Sequence, residues 1–250
     1  MLSQPHWVNF GSADRRQLRF RWDDARVDDD FTGDASVVLS AALKMSVRAR
    51  MALAVALSEW VVWRFEGLHA RDEPRQVLEA AWCATVDPRY LAFFDVPREE
   101  WVGPVEGPLW CAMAYLQHGL PKGYELEGDL YDAMELLYLL AVHVVPEPEA
   151  LERWLGPTLQ RLVATYPVSL SDDDGLQDLF DHHIGERLGT LLGRDTLDPT
   201  LPIDLARDRR FLTQVLTDAS ATENPFLATP DDLEDEEFQG EPYVLPGEST

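Results

Sequence analysis

Met51-Ala-Leu-Ala-Val-Ala-Leu57 is apolar around its whole circumference when it is drawn as a helix. A helix that is apolar on every side is expected to be enclosed by other elements. Apolar residues continue at helical spacing on both sides of this stretch, from about residue 35 to residue 68. The sequence therefore predicts one long central helix, with Asp34 as its N-cap and with Ser40, Lys44 and Arg48 facing solvent.

Six further segments show the same helical period, at residues 74–86, 109–118, 129–145, 148–166, 172–192 and 205–219. The stretch between residues 88 and 108 is rich in Pro and Gly, which favours loops with at most one short helix. The fold class predicted from these patterns is mainly α. It is an irregular bundle of about seven helices around a central long helix.

The two ends of the chain differ from this helical body. Residues 7–10 and the alternating run at 17–22 flank a polar turn, which favours a small β-hairpin followed by an acidic loop. After residue 221 there is no Lys or Arg, and four prolines favour an acidic extended tail. We expect residues 1–34 to pack on the body, residues 35–220 to form a single all-helical domain and residues 221–250 to form the tail.

The charge of the chain restricts its partners. It has 45 Asp and Glu against 21 Lys and Arg, for a formal net charge of −24. A surface of this sign attracts basic partners and repels nucleic acids and anionic membranes. We expect a cytoplasmic protein, because the sequence has two cysteines, no signal-peptide pattern and no apolar run of about 20 residues.

The strongest candidate site for chemistry is the run from Asp178 to Glu186. On a helix, Asp178, His182 and Glu186 lie four residues apart on one face, where they could bind a metal or act as acid and base. A solvated helix face with salt bridges explains the same pattern. Because no further ligand set and no nucleotide or nucleophile motif accompanies it, we predict no metal, no cofactor and no enzyme activity.

Glycines recur every four residues on the same predicted helix, at Gly185, Gly189 and Gly193. An interior glycine costs about 1 kcal/mol relative to alanine in a helix, so a close approach is the expected reason. The approaching surface is either a neighbouring helix of the same chain or a partner, including a second copy in a homodimer.

These observations lead to a binding function. We predict an acidic protein that neutralises or chaperones a basic protein, in the manner of an immunity protein that inhibits a toxin effector. A metal-dependent enzyme using Asp178, His182 and Glu186, and a helical scaffold protein, are the alternatives. The predicted partner-binding residues are Asp172, Asp173, Asp174, Asp178, Asp181, His182, Glu186, Asp231, Asp232 and Glu234.

Overall fold

The computed structural model describes residues 2–11, 14–27, 29, 31–120, 127–168 and 188–246. In this part of the chain the protein is mainly helical, as predicted. The described α-helices are α1 (Ser36–Ala42), α2 (Val47–Arg64), α3 (Glu73–Ala84), α4 (Gly103–Gly119), α5 (Glu127–Val144), α6 (Pro148–Thr165), α7 (Leu205–Ala221) and α8 (Pro230–Asp235). None of these helices is long and apolar enough to span a membrane.

The central element is α2, and every one of its residues is buried. It packs against α3, α4 and α5, which enclose the apolar stretch at residues 51–57 on all sides. The prediction of an enclosed helix is therefore confirmed here. Aromatic side chains surround α2, and the rings of Trp7 and Phe10 from the N-terminal segment pack near Trp60.

The predicted helix over residues 35–68 is wrong in one respect, because α1 and α2 are separate helices. Between them the chain pairs with the end of α6: the Ser46 N–H donates to the Tyr166 carbonyl at 2.9 Å, and Met45 and Pro167 form an antiparallel bridge. Ser46 then caps α2 by accepting a hydrogen bond from the Ala49 N–H. These backbone contacts outweigh the continuous apolar period of the sequence.

The start of α1 agrees in part with the expected cap. The helix begins after Ala35, and the Asp34 carboxylate accepts the Ser36 N–H at 2.8 Å. That hydrogen bond holds the pKa of Asp34 below its usual value. Arg48, which we expected in the solvent-facing stripe, is instead buried, because it lies on α2 beyond the break.

Proline lies in the first turn of a helix where the sequence pattern predicts a loop. Helix α4 begins at Gly103, six residues before the predicted start, and Pro104 lies in its first turn. Proline is tolerated there because the first N–H groups of a helix have no intrahelical partner. At its other end α4 crosses α5 closely: a Cβ added at Gly119 would lie 2.5 Å from the Ala133 Cβ.

The structure does not confirm the predicted N-terminal hairpin. Residues 2–11 and 14–27 form turns and irregular segments, with no strand among them. The segment is held to the body by its side chains instead. The Trp7 ring stacks on Trp154 at 4.8 Å, and Val8 and Phe10 belong to the same buried core as α2.

Candidate functional site

Several arginine side chains of this acidic protein donate hydrogen bonds to backbone carbonyls inside the fold. The Arg64 guanidinium donates to the carbonyls of Val144 and Gln17, at 3.1 and 3.2 Å. Arg161 donates to the carbonyls of Asp198 and Pro199, at 2.8 and 2.9 Å. A guanidinium whose donors are used in this way has fewer donors left for a surface carboxylate.

Arg48 is a further buried example of this arrangement. It donates to the carbonyls of Thr85 and Val86, at 3.0 and 2.9 Å, and also to the carbonyl of Gly189. Burial lowers the pKa of the Arg48 guanidinium to about 10, and the Asp87 carboxylate opposes that shift. The side chain therefore stays charged at neutral pH and joins α2, the end of α3 and the segment after Leu188.

A buried ion pair lies deeper in the fold. The carboxylate of Glu59, which is inaccessible to solvent, lies 2.7 Å from Nη2 of Arg194 and accepts the Trp82 indole N–H at 3.0 Å. Burial raises the pKa of Glu59, and the Arg194 guanidinium opposes that shift. Arg194 also donates to the Ser3 carbonyl, so this pair fixes the N-terminal segment to the core.

The C-terminal segment is docked on the body, in contrast to the predicted extended tail. Leu91 and Leu227 form an antiparallel bridge, flanked by a hydrogen bond from the Ala92 N–H to the Phe226 carbonyl at 3.0 Å. Further along, the Tyr243 ring stacks on Tyr90 at 4.5 Å. The backbone contacts at Phe226 and Leu227 and the ring of Tyr243 therefore hold much of this segment in place.

This segment also contains a helix that its prolines led us to exclude. Pro230 occupies the first turn of α8, where it is tolerated. Thr229 and Asp232 form a capping box, in which each side chain accepts a hydrogen bond from the backbone N–H of the other. Leu233 is buried and anchors the helix.

The docked segment presents carboxylates to solvent. We call the following exposed residues the C-terminal acidic surface: Glu223, Asp231, Asp232, Glu234, Asp235, Glu236, Glu237 and Glu241. Asp232 is partly committed to the capping box, whose hydrogen bonds from Thr229 lower the pKa of its carboxyl. In the described part of the chain no ion pair involves Asp231, Glu234 or Asp235.

Seven of the predicted partner-binding residues lie in a part of the chain that the structure does not describe. Asp172, Asp173, Asp174, Asp178, Asp181, His182 and Glu186 lie outside the described residues, as does Gly185. The structure therefore brings Asp231, Asp232 and Glu234 together and leaves the other predicted residues untested. Within the described ranges no cluster of three or more His, Cys, Asp or Glu side chains has the arrangement of a metal site.

Two glycines of the predicted pattern lie outside any helix, close to other parts of the chain. Gly189 and Gly193 are not on a helix in the described structure. A Cβ added at Gly189 would lie 2.6 Å from the Ser46 Cβ, and one at Gly193 would lie 2.7 Å from the Asp208 Cα. Both glycines allow a close approach within the chain, which agrees with internal packing as the reason for their presence.

The structure also reveals a groove that the sequence analysis missed. It lies between α1 and α6 and has a volume of about 610 Å³. Its lining residues are Ser36, Val37, Ser40, Ala41, Lys44, Gly156, Leu159, Gln160, Val163 and Ala164. The apolar period of the sequence places Val38 and Ala42 on the buried face of α1, and nothing in that pattern indicates that the opposite face borders a groove.

Known proteins add no information on this site. No protein-family model matches the chain, and no curated protein or solved structure shows significant similarity to it.

Proposed function

We propose that this protein binds and neutralises a basic protein partner through the C-terminal acidic surface. The observation that carries the proposal is the run of eight exposed carboxylates from Glu223 to Glu241 on a docked segment. The chain has no Lys or Arg after Arg210, and Arg89 of the body, which lies 4.7 Å over the Phe238 ring, is a cation next to this segment. A concentrated negative potential of this kind speeds association with a basic partner and selects partners by sign.

The arginine contacts support the same proposal. Arg48, Arg64 and Arg161 direct their guanidinium donors at backbone carbonyls. Positive charge is thereby retained inside the protein while carboxylates remain on its surface. Because α8 is anchored by Leu233 and capped by Thr229, the acidic surface is also ordered before a partner binds, which reduces the entropy lost on association.

The first experiment compares three chains on affinity columns loaded with extract from the native cell. They are the wild type, the variant D231N/E234Q/D235N and the variant E99Q/D132N/E149Q, which loses the same charge at exposed positions outside the acidic surface. We expect the wild type and E99Q/D132N/E149Q to retain the same basic protein, which salt then releases. D231N/E234Q/D235N is expected to retain much less of it.

Two results contradict the proposal. One is that no basic protein is retained by the wild type at low salt. The other is that both variants retain the partner equally, because binding would then depend on total charge and not on this surface.

An immunity-type inhibitor of a toxin effector is the narrower form of this proposal. It predicts that the captured partner is toxic when expressed alone and loses its activity in the complex. The alternative of a metal-dependent enzyme using Asp178, His182 and Glu186 stays a prediction. Metal analysis of the purified protein, and a thermal shift on adding divalent cations, test it directly.

A further inference from the structure

The groove between α1 and α6 differs in charge from the rest of the molecule. None of its ten lining residues is acidic, and Lys44 is the one charged residue among them, although the chain has 45 Asp and Glu. Val37 and Leu43 on the α1 side are each 65% exposed. A carboxylate-free apolar groove on a protein of this charge is the kind of surface that marks an interaction site.

Carboxylates lie at one end of the groove. Asp34 immediately precedes α1, and Glu152 lies one helical turn before the lining residue Gly156. Both act on the Tyr138 hydroxyl: burial raises the pKa of Tyr138, and the carboxylates of Glu152 and Asp34 raise it further. The ends of α1 and α6 meet where the Ser46 N–H donates to the Tyr166 carbonyl, so Asp34 and Glu152, which precede the lining residues on each helix, lie at the other end of the groove. Lys44 marks the opposite end, where its carbonyl accepts the Val168 N–H.

We propose that this groove binds an amphipathic helix of the basic partner, with the apolar stripe of that helix in the groove and its basic residues over Asp34 and Glu152. This inference rests on the proposed function, because it takes the partner to be basic. It adds a second contact region, of apolar chemistry, to the C-terminal acidic surface.

The dimensions of the groove fit a helix. The helical part of its α1 wall, Ser36–Ala42, is about 9 Å long at the helical rise of 1.5 Å per residue. Two turns of a partner helix cover that distance and place residues i, i+3, i+4 and i+7 against the walls. The carboxylates of Asp34 and Glu152 disfavour an acidic helix at their end of the groove, so the expected ligand combines an apolar stripe with Lys or Arg on its flanks.

The test uses synthetic helical peptides and the full-length protein. The probe is a 16-residue amphipathic peptide with a Leu stripe and Arg on its flanks. The comparison peptides are the same sequence with Glu in place of Arg and a scrambled Arg version without the stripe. We expect the Arg peptide to bind at least about tenfold more tightly than either comparison peptide by calorimetry.

A matched pair of variants locates the binding site. Ala164 is an exposed lining residue on α6, so A164R places a bulky cation in the groove at a position that tolerates it. Ala206 is an exposed alanine on α7 outside the groove, so A206R is the control with the same change in charge. We expect A164R to weaken binding of the Arg peptide at least about tenfold and A206R to change it less than about twofold.

Four results overturn the proposal. In the first, A164R and A206R have equal effects. In the second, the scrambled peptide binds as well as the striped one. In the third, light scattering shows a dimer that A164R dissociates, which identifies a second copy as the occupant. In the fourth, replacing residues 169–187 by a Gly/Ser linker tightens peptide binding at least about tenfold, which identifies the chain's own segment as the occupant.

The two proposals fail separately. If the wild type retains a basic partner and A164R retains it with the same affinity, the groove proposal fails and the acidic-surface proposal stands. If the wild type retains no basic partner, the function itself is wrong.

Discussion

Arg48 connects three parts of the chain that are far apart in sequence. Its guanidinium supplies donors to the carbonyls of Thr85, Val86 and Gly189, which lie at the end of α3 and after Leu188. Buried carbonyls without a donor are costly, at about 1–3 kcal/mol each. Arg48 is therefore one of the side chains that hold the segment after Leu188, together with Arg161 and Arg194.

Replacing Arg48 with Met tests that role. We expect R48M to lower the free energy of unfolding by roughly 3 kcal/mol, because two buried carbonyls and one half-buried carbonyl lose their donor. R153M is the control, since Arg153 is exposed on α6 and its loss is expected to change stability by less than about 0.5 kcal/mol. Denaturant unfolding measures both. Equal stability of the two variants would mean that the Arg48 contacts are dispensable.

Asp208 makes stability depend on pH. Its carboxylate is buried and accepts the Thr196 hydroxyl at 2.7 Å. Burial raises the pKa of Asp208 despite that hydrogen bond. In the unfolded chain the group ionises near its usual pKa of about 3.9, before the folded group does. Its contribution to stability is therefore present below that pH and is lost as pH rises through the folded pKa.

The variant D208N isolates this contribution. We expect the stability of the wild type relative to D208N to fall as pH rises from about 4 to the raised pKa of Asp208 and to level off above it. Parallel unfolding titrations of the two proteins measure the difference, in which the other carboxyl groups cancel. A difference that rises with pH would show that the folded-state pKa is lowered, contrary to this account.

Among the elements, α4 and α5 cross where a glycine lets them approach. Gly119 faces Ala133 so closely that an added Cβ would lie 2.5 Å from the alanine Cβ. We expect G119A to destabilise the fold by about 1–3 kcal/mol, because the two helices must separate or shift. The matched control is G128A in the first turn of α5, where an added Cβ meets nothing within 4 Å.

G128A should instead stabilise the protein by up to about 1 kcal/mol, as alanine is the better helix former. Thermal unfolding of both variants gives the comparison. If G119A is also stabilising, the close crossing of α4 and α5 is wrong.

Helical periodicity was sufficient to predict most of the elements but not how they are divided. The apolar stretch at residues 51–57 predicted the enclosed position of α2 because burial follows from composition alone. The break before Ser46 was not predictable, since it depends on pairing with Tyr166, more than a hundred residues away. Pro104 and Pro230 were interpreted as breakers, although the first turn of a helix accepts proline.

The candidate site was predictable only in its chemistry. Counting charges identified the acidic run that contains Asp231 and Glu234, because net charge is a property of sequence. The docking of that run depends on the bridge between Leu91 and Leu227, and no local pattern reveals such a contact. The same holds for the groove, whose walls come from α1 and α6.

At the scale of the whole molecule, the negative charges that favour binding of a basic partner also lower the stability of the fold. Unpaired carboxylates attract a basic partner, and they also repel one another within the folded chain. At 0.1 M salt the repulsion between exposed charges more than about 10 Å apart is largely screened. We therefore expect the melting temperature to rise when NaCl increases from about 20 to 300 mM.

The variant D231N/E234Q/D235N provides the comparison for this effect. Its melting temperature should rise less with salt than that of the wild type, because three repelling charges are gone. A wild-type melting temperature that falls with added salt would indicate that net attractive ion pairs dominate the surface.

The central claim is that carboxylates on the C-terminal acidic surface bind a basic protein. Its most direct measurement is the dissociation constant of the captured partner by calorimetry, at 50 and 500 mM NaCl, for the wild type and D231N/E234Q/D235N. We predict that affinity for the wild type falls at least about tenfold at high salt and that the variant binds weakly at both concentrations. Equal, salt-independent affinities for the two proteins would contradict the account.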